Sequence, residues 1–110
     1  MIHRMNLQPK YYDYIKNGTK RIELRLFDEK RQKIQLGDEI EFSKSESEKF
    51  TAKVVGLLRY ESFERIFEDF DINILADVSM TKAELLEALN TFYAPEKQKE
   101  LGVIGIRLEV

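Results

Sequence analysis

The chain has 110 residues, enough for one domain, since domains hold roughly 100–200 residues. With 43% apolar and 35% charged side chains it reads as globular rather than disordered or membrane-spanning. It has no cysteine and a single histidine, His3, which excludes disulfides, thiolate chemistry and metal sites built from several imidazoles. The formal charge of -2 points to no partner, but it hides an asymmetry. Residues 1–34 carry nine Lys and Arg against four Asp and Glu, whereas residues 35–110 carry nine against sixteen.

Ile2–Asn6 reads as an opening strand, in which His3 is expected to be partly exposed filler rather than a catalyst. Pro9 suits the first position of a helix that places Tyr11, Tyr12 and Ile15 on one side, and Asn17-Gly18 suits its end. Lys20–Phe27 alternates, with Ile22, Leu24 and Leu26 on one face and Arg21, Glu23 and Arg25 on the other, as in a half-buried strand. Asp28–Lys33 is a charged connection with room for one helical turn, and Leu36-Gly37-Asp38 is a turn leading into the strand Glu39–Ser43.

After a polar loop, Phe50–Tyr60 forms the next strand, with Gly56 marking a bulge or corner. Ser62 is placed to cap a helix carrying Phe63, Ile66, Phe67 and Phe70. Thr81-Lys82-Ala83-Glu84 fits a capping box, and Leu85, Leu86, Leu89, Phe92 and Tyr93 then share an apolar face that reads as core. Ala94-Pro95 ends that helix. The charged run Glu96–Glu100 precedes a last strand with Ile104, Ile106, Leu108 and Val110 on one face. The expected architecture is one α+β domain over 1–110: a small, mostly antiparallel β-barrel of five to six strands with helices packed on it.

One segment concentrates polar chemistry: Gly18-Thr19-Lys20-Arg21-Ile22-Glu23-Leu24-Arg25. Residues two apart on a strand face stand roughly 6.5–7 Å apart, so Arg21, Glu23 and Arg25 can meet, and Lys20 can swing in from the turn. Two cations around one carboxylate keep Glu23 ionised and leave positive charge for an anionic, hydrogen-bonding ligand. The alternative is a solvated strand face whose ion pairs are worth about 0–1 kcal/mol each.

Gly18-x-Lys20-x-x-Glu23-x-Arg25 resembles the signature of ASCH domains, a branch of the PUA-like β-barrel superfamily. Leu36-Gly37-Asp38-x-Ile40-x-Phe42 and Gly102-Val103-Ile104-Gly105-Ile106 follow in the same order. The resemblance implies a barrel with a charged cleft beside the first helix, and RNA or a modified nucleoside as ligand. Lys20 and Arg25 then hold phosphate and Glu23 accepts from a base or ribose, with Arg21 adding charge and Tyr60 the candidate stacking platform.

The alternative the resemblance implies is a hydrolase, on acetylated cytidine or on RNA, using Lys20 and Glu23. The acetylcytidine pattern has a threonine where this chain has Glu23, and Asp77 is the nearest acid to its expected second carboxylate. A third reading makes the acidic helices after residue 61 a protein-interaction surface. No metal or cofactor is implied. The first residues lack the apolar stretch of a secretion signal, and Val54–Leu58 is far short of the ~20 residues of a spanning helix, so a cytoplasmic, membrane-free protein is expected.

Overall fold

The computed structural model describes residues 1–76 and 79–110. In chain order the elements are β1 (Ile2–Asn6), α1 (Pro9–Lys16), β2 (Ile22–Leu26), α2 (Glu29–Gln32), β3 (Glu39–Ser43) and β4 (Lys49–Tyr60). They continue with α3 (Phe63–Asp69), α4 (Ile72–Leu75), α5 (Lys82–Phe92), α6 (Pro95–Leu101) and β5 (Val103–Glu109). The strands form one sheet in the order β1-β3-β4-β5-β2.

Three of the four pairings are antiparallel and β1–β3 is parallel, so the sheet is mixed and five-stranded, a correction to the mostly antiparallel barrel of five to six strands. The cause is the route of the chain. It leaves β1, crosses through α1, β2 and α2, and returns beside β1 in the same direction. Strand alternation carries no information about that direction.

β1 and β2 end the sheet on opposite edges and make no ladder with each other, leaving a half-barrel with an open seam. The curl comes largely from β4, whose register with β5 slips between Val54 and Gly56. A Cβ at Gly56 would stand 2.9 Å from Arg107 Cβ, so the bulge needs glycine there.

Both faces of the sheet are covered. The inner face holds Met5, Ile40, Phe42, Val54, Ile104, Ile106 and Leu108, closed over by Tyr12 and Ile15 of α1. The outer face of β2 and β5 carries Ile22, Leu24 and Val103 against Phe63, Ile66, Phe67, Leu75 and Leu85 of α3–α5. No helix among the described residues is long and apolar enough to cross a membrane.

Several local expectations meet their physical cause. Gly18 adopts φ +83° directly after α1, and Gly37 φ +88° in the turn before β3. The Thr81–Glu84 capping box is complete, each side chain bonding the other's backbone N–H.

Others are corrected. Ser62 occupies the N-cap position of α3 but its side chain does not cap; the Phe63 N–H instead meets Oε1 of buried Gln98 at 3.4 Å. Gln98 belongs to α6, a helix that forms where only a charged run was read. His3 is buried, not filler: its Nε2 lies 2.8 Å from Asp38 Oδ2. Phe92 is 68% exposed and Val110 lies at the surface rather than in the core.

Candidate functional site

Lys20 is positioned by the end of α1. After Asn17-Gly18 turns the chain, the Lys20 N–H donates to the Tyr14 carbonyl at 3.0 Å, and Arg21 N–H donates to Ile74 of α4. β2 therefore starts at Ile22, one residue later than Arg21, and the two arginines flanking Glu23 part company. Arg21 is exposed and lies outside the cavity described below, whereas Lys20 is buried. In β2, Ile22 and Leu24 turn to the helices, and Glu23 and Arg25 turn to the side of their partners Ile106 and Ile104.

Lys20, Glu23 and Arg25 converge. Lys20 is 4% exposed; its Nζ donates to the carbonyl of Ile22 at 2.7 Å and to that of Leu75, and lies 3.6 Å from Glu23 Oε1. The Tyr11 ring covers it, with its centroid 5.8 Å from Nζ. Glu23, 6% exposed, also accepts the Leu24 N–H on Oε1 at 3.1 Å. Its Oε2 accepts Arg25 Nε at 3.2 Å and Nη2 at 3.0 Å. Nη2 of Arg25 reaches on to the Asn6 carbonyl of β1 at 3.0 Å, spanning the seam that the sheet leaves open. The solvated-strand reading is thereby overturned: charges out of water at this depth persist only when paired and bonded.

Burial alone would raise the Glu23 pKa, but the Lys20 and Arg25 charges outweigh it and hold the carboxyl below its ordinary range. Burial lowers the Lys20 pKa, and Glu23 offsets only part of that. Burial works against the Arg25 charge too, yet Glu23 and the Tyr93 phenol beside it raise the guanidinium's pKa. The ammonium of Lys20 directs its three protons at two carbonyls and a carboxylate. The carboxylate of Glu23 accepts three hydrogen bonds and faces the Lys20 ammonium as an ion pair at 3.6 Å. Both are therefore satisfied from within the protein, and two cations to one anion leave the cluster positive.

Above this floor is a cavity of about 220 Å³. Leu7, Gln8 and Tyr11 wall it from β1–α1, and Leu85, Ala88, Leu89 and Phe92 from α5, with Tyr93 just after it. The α5 residues recur at helical spacing, and Ala88 is the small one among them, leaving space where a larger side chain would reach the floor. The sequence reading had given these residues to the core. The one hint otherwise is that Phe92 is the last residue of α5 before the Ala94-Pro95 break, where packing neighbours run out.

Tyr60 does not join this cluster. Its hydroxyl donates to Asp69 Oδ2 at 2.5 Å, which raises its pKa, and it lines a separate, broad surface groove with Arg59, Arg65 and Lys99. Asp77 lies outside the described residues.

Similarities to other proteins bear on this geometry. A crystal structure of the hypothetical protein PH0355 superposes with a TM-score of 0.89 at 36% identity, covering 99% of this chain and 98% of that one. The solution NMR structure of protein PF0455 from Pyrococcus furiosus superposes with a TM-score of 0.80 at 34% identity, covering 99% and 96%. No curated protein matches the chain. The ASCH domain family model matches residues 5–110, a span that contains the whole cluster and every wall of its cavity, and the chain belongs to the ASCH domain family.

Proposed function

We propose that this protein binds RNA, or a nucleotide or nucleoside, in the cleft at the barrel seam. The observation that carries the reading is the buried Lys20–Glu23–Arg25 cluster opening onto a cavity with aromatic walls. Small-ligand sites combine an apolar, pre-formed cavity with a few fixed polar groups, and this one does so with net positive charge. ASCH domains are generally linked to RNA binding, which agrees in kind. Within the cleft, Arg25 is the contacting cation, since its side chain is 16% exposed in the floor against 4% for Lys20. Lys20 and Glu23 act chiefly by holding it and by fixing the floor. Arg21 and Tyr60, expected to contribute, lie away from the cavity and have no part in this reading. A cysteine-free chain handling RNA or its nucleosides suits the cytoplasm, where both occur.

One feature of the cluster suits the hydrolase alternative, the lowered Lys20 pKa, and the bonding around it does not. A lysine that donates to the Ile22 and Leu75 carbonyls and is ion-paired to Glu23 is not a free amine base. A carboxylate held below its ordinary range is a weak one. Release of acetate from acetylcytidine by the purified protein would reverse that ranking.

Fluorescence anisotropy with short single-stranded RNAs at low salt tests the binding reading. Saturable binding, weakened at least tenfold by Arg25→Ala, is expected. No binding, or binding indifferent to Arg25→Ala, would remove it.

A further inference from the structure

We infer that the cleft takes a single nucleobase, inserted edge-first between α1 and α5, with Phe92 as the ring on which it stacks and a carbonyl edge, rather than an amino edge, turned to the Arg25 floor. The inference rests on the binding reading above and assigns the part of the ligand that enters.

Three features carry it. The cavity, about 220 Å³, is smaller than the roughly 300 Å³ at which sites for drug-sized ligands begin, so it suits one ring system and not a whole nucleotide. Its mouth carries an aromatic residue with no core role: Phe92 lines the cavity yet is 68% exposed. A large apolar ring left in water at the rim of a positive cleft is what sequence-tolerant base binding uses, since every base offers a π-face.

The third feature is hydrogen-bond polarity. Glu23 already accepts three hydrogen bonds and is ion-paired to Lys20, so the floor's one carboxylate is engaged on both oxygens before an amino group arrives. Arg25 uses Nε and Nη2 on Glu23 and Asn6, and the Tyr93 hydroxyl stands beside the same guanidinium. A donor-rich floor prefers an acceptor edge, such as the carbonyls of uracil or the O6/N7 edge of guanine, over the amino edge of adenine. The phosphates then lie at or outside the mouth, where they add salt-dependent affinity without entering.

The test compares a short oligouridylate with an abasic oligomer of equal length by anisotropy, and uridine, adenosine and ribose 5-phosphate by NMR titration. Phe92→Ala is expected to weaken oligouridylate binding roughly tenfold while leaving the slope of log affinity against log salt unchanged, because stacking releases no counterions. Phe92 is exposed, so that variant folds. As a second probe, Ala88→Leu fills the cavity and is expected to abolish the uridine shifts at Leu24, Arg25 and Tyr93. Abasic oligomer binding as tightly as oligouridylate, Phe92→Ala binding like wild type, or adenosine outcompeting uridine would each overturn the inference while the binding reading stands. Failure of every RNA to bind would overturn both.

Discussion

Strand β1 has a charged cluster at each end, and the two differ in what surrounds them. At its start, the Met1 amine lies 3.4 Å from Asp38 Oδ1 and His3 Nε2 lies 2.8 Å from Oδ2, clipping β1 to the turn before β3. At its finish, the Asn6 carbonyl takes Arg25, behind which Glu23 and Lys20 are sealed from water. The first cluster binds neighbours that the ladder already joins, and its amine stands in solvent. The second bridges the one place where the sheet is open, and it is desolvated. Solvent screens the amine's share of the first, and its buried His3–Asp38 contact clips strands that are already paired. Desolvation makes the second costly to disturb, and on the proposed reading it is the one that meets a ligand.

Substitutions separate the two, and the largest effect falls at the seam. Glu23→Ala leaves two buried cations without their carboxylate and is expected to cost about 3–5 kcal/mol in a denaturant titration. A loss below 1 kcal/mol would mean that the cluster is wet and the contrast false.

Lys20→Met comes next. It removes a buried charge but strands the Ile22 and Leu75 carbonyls, for an expected loss of about 1–3 kcal/mol by the same measurement. Arg25→Lys is expected to keep the fold and lose most RNA affinity, since a point charge cannot hold Glu23 through two nitrogens and reach Asn6 as well.

The strand-start cluster predicts a pH effect. The imidazole of His3, then the Gln35 N–H, pull the Asp38 pKa from 3.8 to about 2. A depressed carboxylate stabilises the fold fully above its unfolded value and loses that contribution as pH falls through its folded one. Stability should therefore drop between about pH 3.8 and pH 2 on this account, and Asp38→Asn should flatten that part of the acid limb. Glu23, also depressed, should still titrate in the variant. The smallest effect is at Tyr60, where Tyr60→Phe removes a surface bond to Asp69. RNA affinity should not change and stability should stay within about 0.5 kcal/mol.

What the sequence could show followed from local chemistry. Gly18, the Thr81–Glu84 box, the alternation of β2 and the run Ile104–Leu108 each carry their structure in adjacent residues. α6 carries a start signal in Pro95, as α1 does in Pro9, but Ala94-Pro95 reads equally as the stop of α5, and its one buried side chain is polar Gln98. The parallel pairing of β1 with β3 depends on a crossover of more than thirty residues, which no short pattern records. At the site, Glu23 and Arg25 were legible as neighbours on one strand face. That the face is buried was not, because its cover is shared between residues 7–11 and α5, the latter some sixty residues later. Arg21 was misplaced for a related reason: the alternation predicts a strand from Lys20, whereas the Arg21 N–H is taken by the Ile74 carbonyl and the strand begins at Ile22.

The central claim is that the desolvated seam, not the larger groove around Tyr60, receives the ligand. A ¹H–¹⁵N NMR titration of the intact chain with a short single-stranded RNA tests it most directly. Shifts concentrated at Leu7, Tyr11, Leu24, Arg25, Leu89 and Tyr93 are predicted. Shifts concentrated at Arg59, Tyr60, Arg65 and Lys99, with the seam silent, would contradict it.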